Sequence, residues 1–272
     1  VGSEMCIRDS LGIVPKYKKD VPVSQLLVDQ NPKSTISEAF RSIRTNMQFI
    51  ANNNDSKVIA ITSSISGEGK TFVAINLAGI IAYAGKKVII LDLDMRKPKI
   101  HIGFQSTNEF GMSTILIGKD NIDHCIKHSA LNGLDFITAG PIPPNPSELI
   151  LSPKMDEIID HLKGIYDIVI LDNPPVGIVT DGIILIKKAD YPIYIFRAAY
   201  SKRYFFENLN VIIKDHDVKK LSVILNGVDE IHPGYGYGYG YGYGYGYGYY
   251  DEDQNSKKVK RTLIQKIMRA IS

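Results

Sequence analysis

The sequence predicts an α/β fold built on a mainly parallel sheet sandwiched by helices. Three observations carry the prediction. Short apolar runs recur along the chain, stretches of helical length separate them, and a glycine-rich loop joins the first run to the first helix of the sheet. Runs apolar at every position fit strands buried on both faces, and strands alternating with helices build parallel sheets covered on both sides.

Taken in order, the chain opens with VGSEMCIRDS, which lacks periodicity and the apolar core of a signal peptide and contains an internal Met5. Residues 1–10 are therefore read as a scar or non-native segment and set aside. The domain proper is expected over residues 11–230. After the lead-in LGIVPKYKKD comes EAFRSIR, in which Glu38, Arg41 and Arg44 lie three apart and share one helical face. On spacing alone that face is an ordinary solvated charge stripe. The predicted strands follow at 57–63 (KVIAITS), 87–94 (KVIILDLD), 133–139 (GLDFITA), 166–172 (YDIVILD), 191–197 (YPIYIFR) and 220–227 (KLSVILNG). Tyr83, Tyr166, Tyr191 and Tyr194 fall within these elements and read as packing. The turn PIPPNPSEL at 141–149 is rigid, and Ser147 is expected to cap the helix it opens.

Bulk properties narrow the function. With 272 residues, 44% hydrophobic and 22% charged, the chain can bury one substantial core. A net charge of +3 gives no argument for nucleic acid as a partner. No apolar run approaches the roughly 18 residues needed to span a bilayer, so the chain is expected to be soluble. Cys6 and Cys125 are far apart and form no disulfide framework, which fits a reducing compartment. His124 and His128 have a metal-compatible spacing around Cys125, but without a third ligand a solvated helix face is the better reading.

The stretch Ser64 to Thr71, SISGEGKT, follows the first strand and opens a helix. Backbone N–H groups of such a loop wrap phosphate oxygens, and the helix N-terminus adds its dipole. A lysine at the position of Lys70 neutralises the β- and γ-phosphates, and a hydroxyl at Thr71 ligates magnesium. The usual pattern begins with glycine, where this chain has Ser64. Two further strand ends carry acids: DLDMRKP places Asp92 and Asp94 on one side of their strand, and YDIVILDNPP ends in Asp172. Ligands bind at the carboxyl ends of such strands, so the three acids are expected to converge on the loop.

From Gly234 to Tyr250 glycine alternates with tyrosine, and the stretch holds nine of the sixteen tyrosines: Tyr235, Tyr237, Tyr239, Tyr241, Tyr243, Tyr245, Tyr247, Tyr249 and Tyr250. Glycine at every second place offers nothing to pack, so residues 231–255 read as a disordered, flexible tail. It is either a linker carrying phenolic hydroxyls or a stacking-prone low-complexity tail. Residues 256–272 read as a short basic amphipathic helix, with Val259, Leu263, Ile267 and Ala270 at helical spacing among lysines and arginines. It either docks on the domain or meets an anionic membrane face.

The motifs ITSSISGEGKT, VIILDLDMRKP, YDIVILDNPPV and GPIPPNPSELI together resemble the cytoplasmic kinase domain of the bacterial tyrosine kinases, the polysaccharide co-polymerase regulators of capsule and exopolysaccharide production. The resemblance covers about residues 11–227. Upstream, EAFRSIR matches that family's oligomerisation motif. The wider group of deviant Walker A P-loop ATPases, MinD and ParA among them, is similar too, but carries an extra lysine early in the loop that this chain lacks.

The resemblance implies an ATP- and Mg²⁺-dependent protein tyrosine kinase. Ser66, Gly67, Glu68, Gly69, Lys70, Thr71 and Phe72 would bind the nucleotide. Thr71, Asp94 and Asp172 would hold magnesium, and Asp92 would serve as base or orienting carboxylate for a tyrosine hydroxyl. It also implies an octamer-like ring, with Glu38, Arg41 and Arg44 at the contact and each tail phosphorylated in the neighbouring subunit. A glycine-rich tail of this length reaches about 26 Å, against a domain radius of gyration of about 17 Å. Phosphorylating all nine tyrosines would add about −13 to −18 charges and so favour disassembly. Further implied partners are a membrane-spanning co-polymerase region, in cis or as a separate activator, and a cognate phosphatase, at the cytoplasmic face of the inner membrane. The competing readings are an ATPase switch controlling dimerisation and membrane or partner binding, and a scaffold with a degenerate site.

Overall fold

The structure, a computed structural model, describes residues 9–17, 26–30, 32–50, 57–177, 181–218 and 221–229. The tail tyrosines and the basic segment 256–272 lie outside the described residues. In chain order the first elements are β1 (Asp9–Pro15), α1 (Leu27–Gln30), α2 (Thr35–Ile50), β2 (Lys57–Ser63), α3 (Lys70–Ala82), β3 (Val88–Asp92), α4 (Ile100–Gly103), α5 (Met112–Leu116), α6 (Ile122–Cys125) and β4 (Lys127–His128). Then come β5 (Leu134–Ile137), α7 (Pro146–Ile150), α8 (Pro153–Lys163), β6 (Ile168–Asp172), α9 (Asp181–Lys188), β7 (Tyr191–Arg197), α10 (Arg203–Asp215) and β8 (Ser222–Val228).

Among the described residues the strands form one sheet in the order β1-β8-β7-β2-β6-β3-β5-β4. Every neighbouring pair is parallel except β4 with β5. Side chains alternate along the strands and feed cores on both faces. Ile59, Ile61, Val88, Ile90, Ile170, Ile193 and Ile195 pack with α3 and with Ile36, Phe40, Ile43 and Met47 of α2. On the opposite face Val58, Ala60, Ile89, Leu91, Val169 and Leu171 meet Met112 and Ile115 of α5 and Met155, Ile158 and Leu162 of α8. Tyr194, Phe196, Val223 and Leu225 meet α9 and α10. The central helix α3 is apolar on all sides and almost wholly buried, as a helix covered by both sheet and α1–α2 must be. Its one buried amide, Asn76, accepts from the N–H groups of Leu27 and Val28 at 2.8 and 3.2 Å and so ties α1 to α3.

The expected sandwich is present, with five departures. Asp9 and Ser10, set aside on sequence, pair with Ser222 and Val223 in β1, so this edge strand begins before position 11. The strand expected at 87–94 stops at Asp92. Ser147 does not cap α7; Asn145 precedes Pro146 at the first helical position, where proline's fixed φ suits the first turn, and the Ser147 hydroxyl instead accepts from Arg96. Tyr83 is 51% exposed beyond the end of α3 rather than packed. His128 lies on β4, not on a helix with His124; its Nδ1 is 2.7 Å from Asp135 Oδ1, while His124 stacks on Phe110.

Candidate active site

Between the end of β2 at Ser63 and the start of α3 at Lys70 the chain makes a loop whose carbonyls are taken up one after another by side chains. Ser63 donates its hydroxyl to Ile65 O at 2.9 Å and Tyr200 donates to Ser66 O at 3.0 Å. Arg197 Nη1 donates to Gly67 O at 2.9 Å, and Asn226 Nδ2 to Glu68 O at 3.0 Å. In a trans peptide each carbonyl points opposite to the next residue's N–H. Engaging these four carbonyls leaves the N–H groups of Ser66, Gly67, Glu68 and Gly69 on the opposite side of their peptides, where they can meet an anion. Gly67 and Gly69 adopt φ of 93° and 95°, the left-handed region that glycine enters without penalty.

The helix that follows presents Lys70 and Thr71, both buried. The Thr71 hydroxyl donates to Asp172 Oδ2 at 2.6 Å. Asp92 and Asp172 end neighbouring strands and are directly paired in register. Asp92 Oδ2 accepts the N–H groups of Lys99 and Ile100 at 3.1 and 3.0 Å, capping the turn into α4. Asp94 lies two residues on, 8% exposed, and accepts from Lys97 N. Burial raises the Asp172 carboxyl to about 6, with nearby Lys70 and the Thr71 bond pulling it back and Asp94 pushing it further up. Asp92 is raised well above the ordinary range, by burial first and then by Asp172. The acids predicted to converge do so.

A divalent cation would resolve this crowding. Asp92 Oδ1 and Asp172 Oδ1 are buried with no hydrogen-bond partner among the described residues, which is what oxygen atoms awaiting a hard cation look like. No group of three or more His, Cys, Asp or Glu side chains among the described residues forms a cage for one. Magnesium needs none, since it takes one or two carboxylates and fills its shell with phosphate oxygens and water. The residues present fit it.

Two of the expected nucleotide ligands and one residue of the expected ring contact have side chains placed otherwise than foreseen. The Glu68 side chain is fully buried and turned away from the cradle; its Oε2 accepts from Ile65 N at 2.8 Å and its Oε1 from the Ser201 hydroxyl. The physical reason is charge: a carboxylate aimed at phosphate would repel it. Phe72 packs its ring on Phe40, with centroids 6.1 Å apart, and offers the cradle only its backbone. Arg44 is not on an open face with Glu38, because its Nη1 donates to Ile80 O at the end of α3 at 2.8 Å. Glu38 is exposed and pairs with Arg41, which also donates to Pro32 O at 2.6 Å. Sequence reasoning missed Tyr200, Arg197, Ser201 and Asn226, whose only signal would have been their positions at the carboxyl ends of β7 and β8.

An AAA domain family matches residues 56–222. The chain is 38% identical over 196 residues to the tyrosine-protein kinase YwqD of Bacillus subtilis, an alignment covering 72% of this chain and 83% of that protein. Among solved structures, the chimerical protein CapA2B2 matches with a TM-score of 0.75 at 37% identity, over 81% of this chain and 95% of the other. The kinase domain of the Escherichia coli tyrosine kinase ETK matches with 0.73 at 29% identity, over 88% and 94%. MinD of Pyrococcus horikoshii, solved with Mg-ADP, shares the fold at a TM-score of 0.53 and 21% identity, over 63% and 70%.

Proposed function

The chain belongs to the bacterial tyrosine kinases of capsule and exopolysaccharide systems, and from that premise we propose that it transfers the γ-phosphoryl group of ATP to tyrosines of the run 235–250 on neighbouring copies. The observation that carries the proposal is the phosphate loop, with its carbonyls held by side chains, beside Lys70 and the Thr71–Asp172 pair.

The N–H groups of residues 66–69 and the α3 N-terminus would hold the β- and γ-phosphates, and Lys70 would offset their charge. Thr71 and Asp172 would hold magnesium, with Asp94 supporting; the cation would neutralise charge developing on the transferred phosphoryl group. A phenol of pKa about 10 is neutral at pH 7, so a carboxylate acceptor at the site assists its attack. Asp92, wholly enclosed and bonded through Oδ2 to backbone, suits an orienting role. Asp94, at the edge of the acidic group, suits direct contact with a tyrosine hydroxyl.

In this reading the kinase works as a ring, with exposed Glu38 and half-buried Arg41 available for the contact, together with a membrane-spanning co-polymerase segment and a phosphatase at the inner membrane's cytoplasmic face. Among the described residues no helix is long and apolar enough to cross a membrane, so that segment would lie outside them. The test is intact mass and phosphotyrosine detection after incubation with magnesium-ATP, on this chain and on Lys70→Met, with free phosphate assayed in parallel. Phosphate steps mapped to 235–250 and lost in Lys70→Met are expected. Free phosphate with an unmodified tail, even with an activator segment supplied, would replace this reading with an ATPase switch of the kind the MinD-like fold also permits.

A further inference from the structure

The turn between β7 and α10 touches the phosphate loop at three consecutive residues, although it belongs to none of the nucleotide motifs. Tyr200 bonds Ser66 O, Arg197 bonds Gly67 O, and Ser201 bonds the Glu68 carboxyl. The turn is itself closed, with Ser201 N donating to Arg197 O at 2.9 Å and Arg197 N to Ser201 Oγ at 2.8 Å. Ser201 Oγ accepts from Arg197 N–H and donates its own proton to Glu68. The result is a directed chain of bonds from Arg197 N through Ser201 to Glu68, whose other oxygen holds Ile65 N. Ala199 sits at φ 55° within the turn, a left-handed backbone that alanine keeps only where its surroundings hold it.

Amide dipoles that converge on an empty point repel one another, so a phosphate cradle needs outside support to keep its shape before the phosphate arrives. We infer that residues 197–201 form a clamp on the phosphate loop, with Glu68 and Ser201 as positioning residues that keep it in its phosphate-receiving shape; the inference rests on the ATP-dependent reading above. Glu68 suits the task because a carboxylate accepts two donors at once, one from each side of the joint. Its burial also keeps the negative charge out of the cradle. If the receiving shape is populated less often, apparent affinity falls by that fraction while the assembled site stays intact. The clamp therefore governs nucleotide binding more than the chemical step.

The test is titration of this chain with Mg-ADP by calorimetry, followed by steady-state phosphotransfer. Ser201→Ala should raise the Kd for Mg-ADP and the KM for ATP about tenfold, with kcat at saturating ATP kept within about twofold. Ser201→Thr, which restores the hydroxyl, should recover most of the loss, and Glu68→Gln should raise the Kd for Mg-ADP in the same direction. Tyr166→Phe removes a hydroxyl bonded to Asp135 at the opposite end of the sheet, and should lower the melting temperature without moving Kd. Wild-type Kd in both Ser201→Ala and Glu68→Gln, or a fall in kcat at unchanged Kd, would overturn the clamp. If wild type binds Mg-ADP and Ser201→Ala binds it weakly while neither forms phosphotyrosine, the clamp stands and the kinase reading fails.

Discussion

Thr71 and Asp172 stand 101 positions apart, yet the Thr71 hydroxyl donates to Asp172 Oδ2 at 2.6 Å in the buried centre of the site. The bond joins the start of α3 to the end of β6. It leaves Asp172 Oδ1 open beside Asp92, so a single hydroxyl orients the carboxylate proposed to meet magnesium.

Replacing Thr71 by Val keeps the shape and removes the donor. A bare buried carboxylate oxygen costs about 1–3 kcal/mol, and the melting temperature should fall accordingly. Phosphotransfer should drop by about a hundredfold or more, because both the orientation of Asp172 and the hydroxyl ligand are lost. Thr71→Ser should keep both. Thermal melts and kcat/KM on the two variants decide this; full activity in Thr71→Val would remove Thr71 from the site.

Glu68 should make the stability of the phosphate loop depend on pH. Burial raises its carboxyl above 4.5, and the bonds from Ser201 and Ile65 offset only part of that rise. The neighbouring Tyr194 phenol is pushed up as well and stays neutral across this range. A raised folded value means the folded state holds the proton more tightly. The contribution is fully present below 4.5 and is lost as pH climbs through the folded value. Asp92 and Asp172 titrate with the same sign, so the measurement is a difference: wild type minus Glu68→Gln, by urea unfolding from pH 4 to 8. That difference should become less favourable to wild type as pH rises; a flat difference would contradict it.

Gly69 should tolerate no side chain. Its φ is 95°, and a Cβ there would lie 2.1 Å from Asn226 Nδ2. Gly69→Ala must therefore move the loop or expel the Asn226 amide that holds Glu68 O. The expected outcome is a folded protein, by circular dichroism, whose Mg-ADP affinity has fallen at least about tenfold. Unchanged affinity would show that the loop does not need this shape to take a nucleotide.

The strands around the site were legible because each is apolar throughout, and so were the acids that end them, since strand alternation and the carboxyl-end rule place Asp92, Asp94 and Asp172 without further information. β1 was not, because Gly12 and Pro15 weaken a run that is held by one neighbour alone, β8. The roles of Glu68 and Arg44 were hidden for another reason. Each is decided by a partner distant in sequence, Ser201 at 133 positions and the Ile80 carbonyl at 36. A charged residue in a motif looks the same whether it faces a ligand or a backbone carbonyl. Glu68 and Arg44 both turned inward.

That distinction separates the three residues of the oligomerisation motif. Arg44 donates to Ile80 O and carries a buried Nε, so Arg44→Ala should cost about 1–3 kcal/mol of folding stability through the carbonyl left unpaired at the end of α3. Glu38 is exposed and, among the described residues, pairs with its helix neighbour Arg41. An exposed pair of this kind contributes little, so Glu38→Ala should change stability by no more than about 0.5 kcal/mol. If α2 forms the proposed ring contact, Glu38→Ala should nonetheless shift sedimentation from a large assembly toward monomer, at unchanged melting temperature. Arg44→Ala should lower both together. A ring that survives Glu38→Ala and Arg41→Ala while Arg44→Ala merely unfolds would mean that the motif supports the α2–α3 joint, and that subunits meet elsewhere.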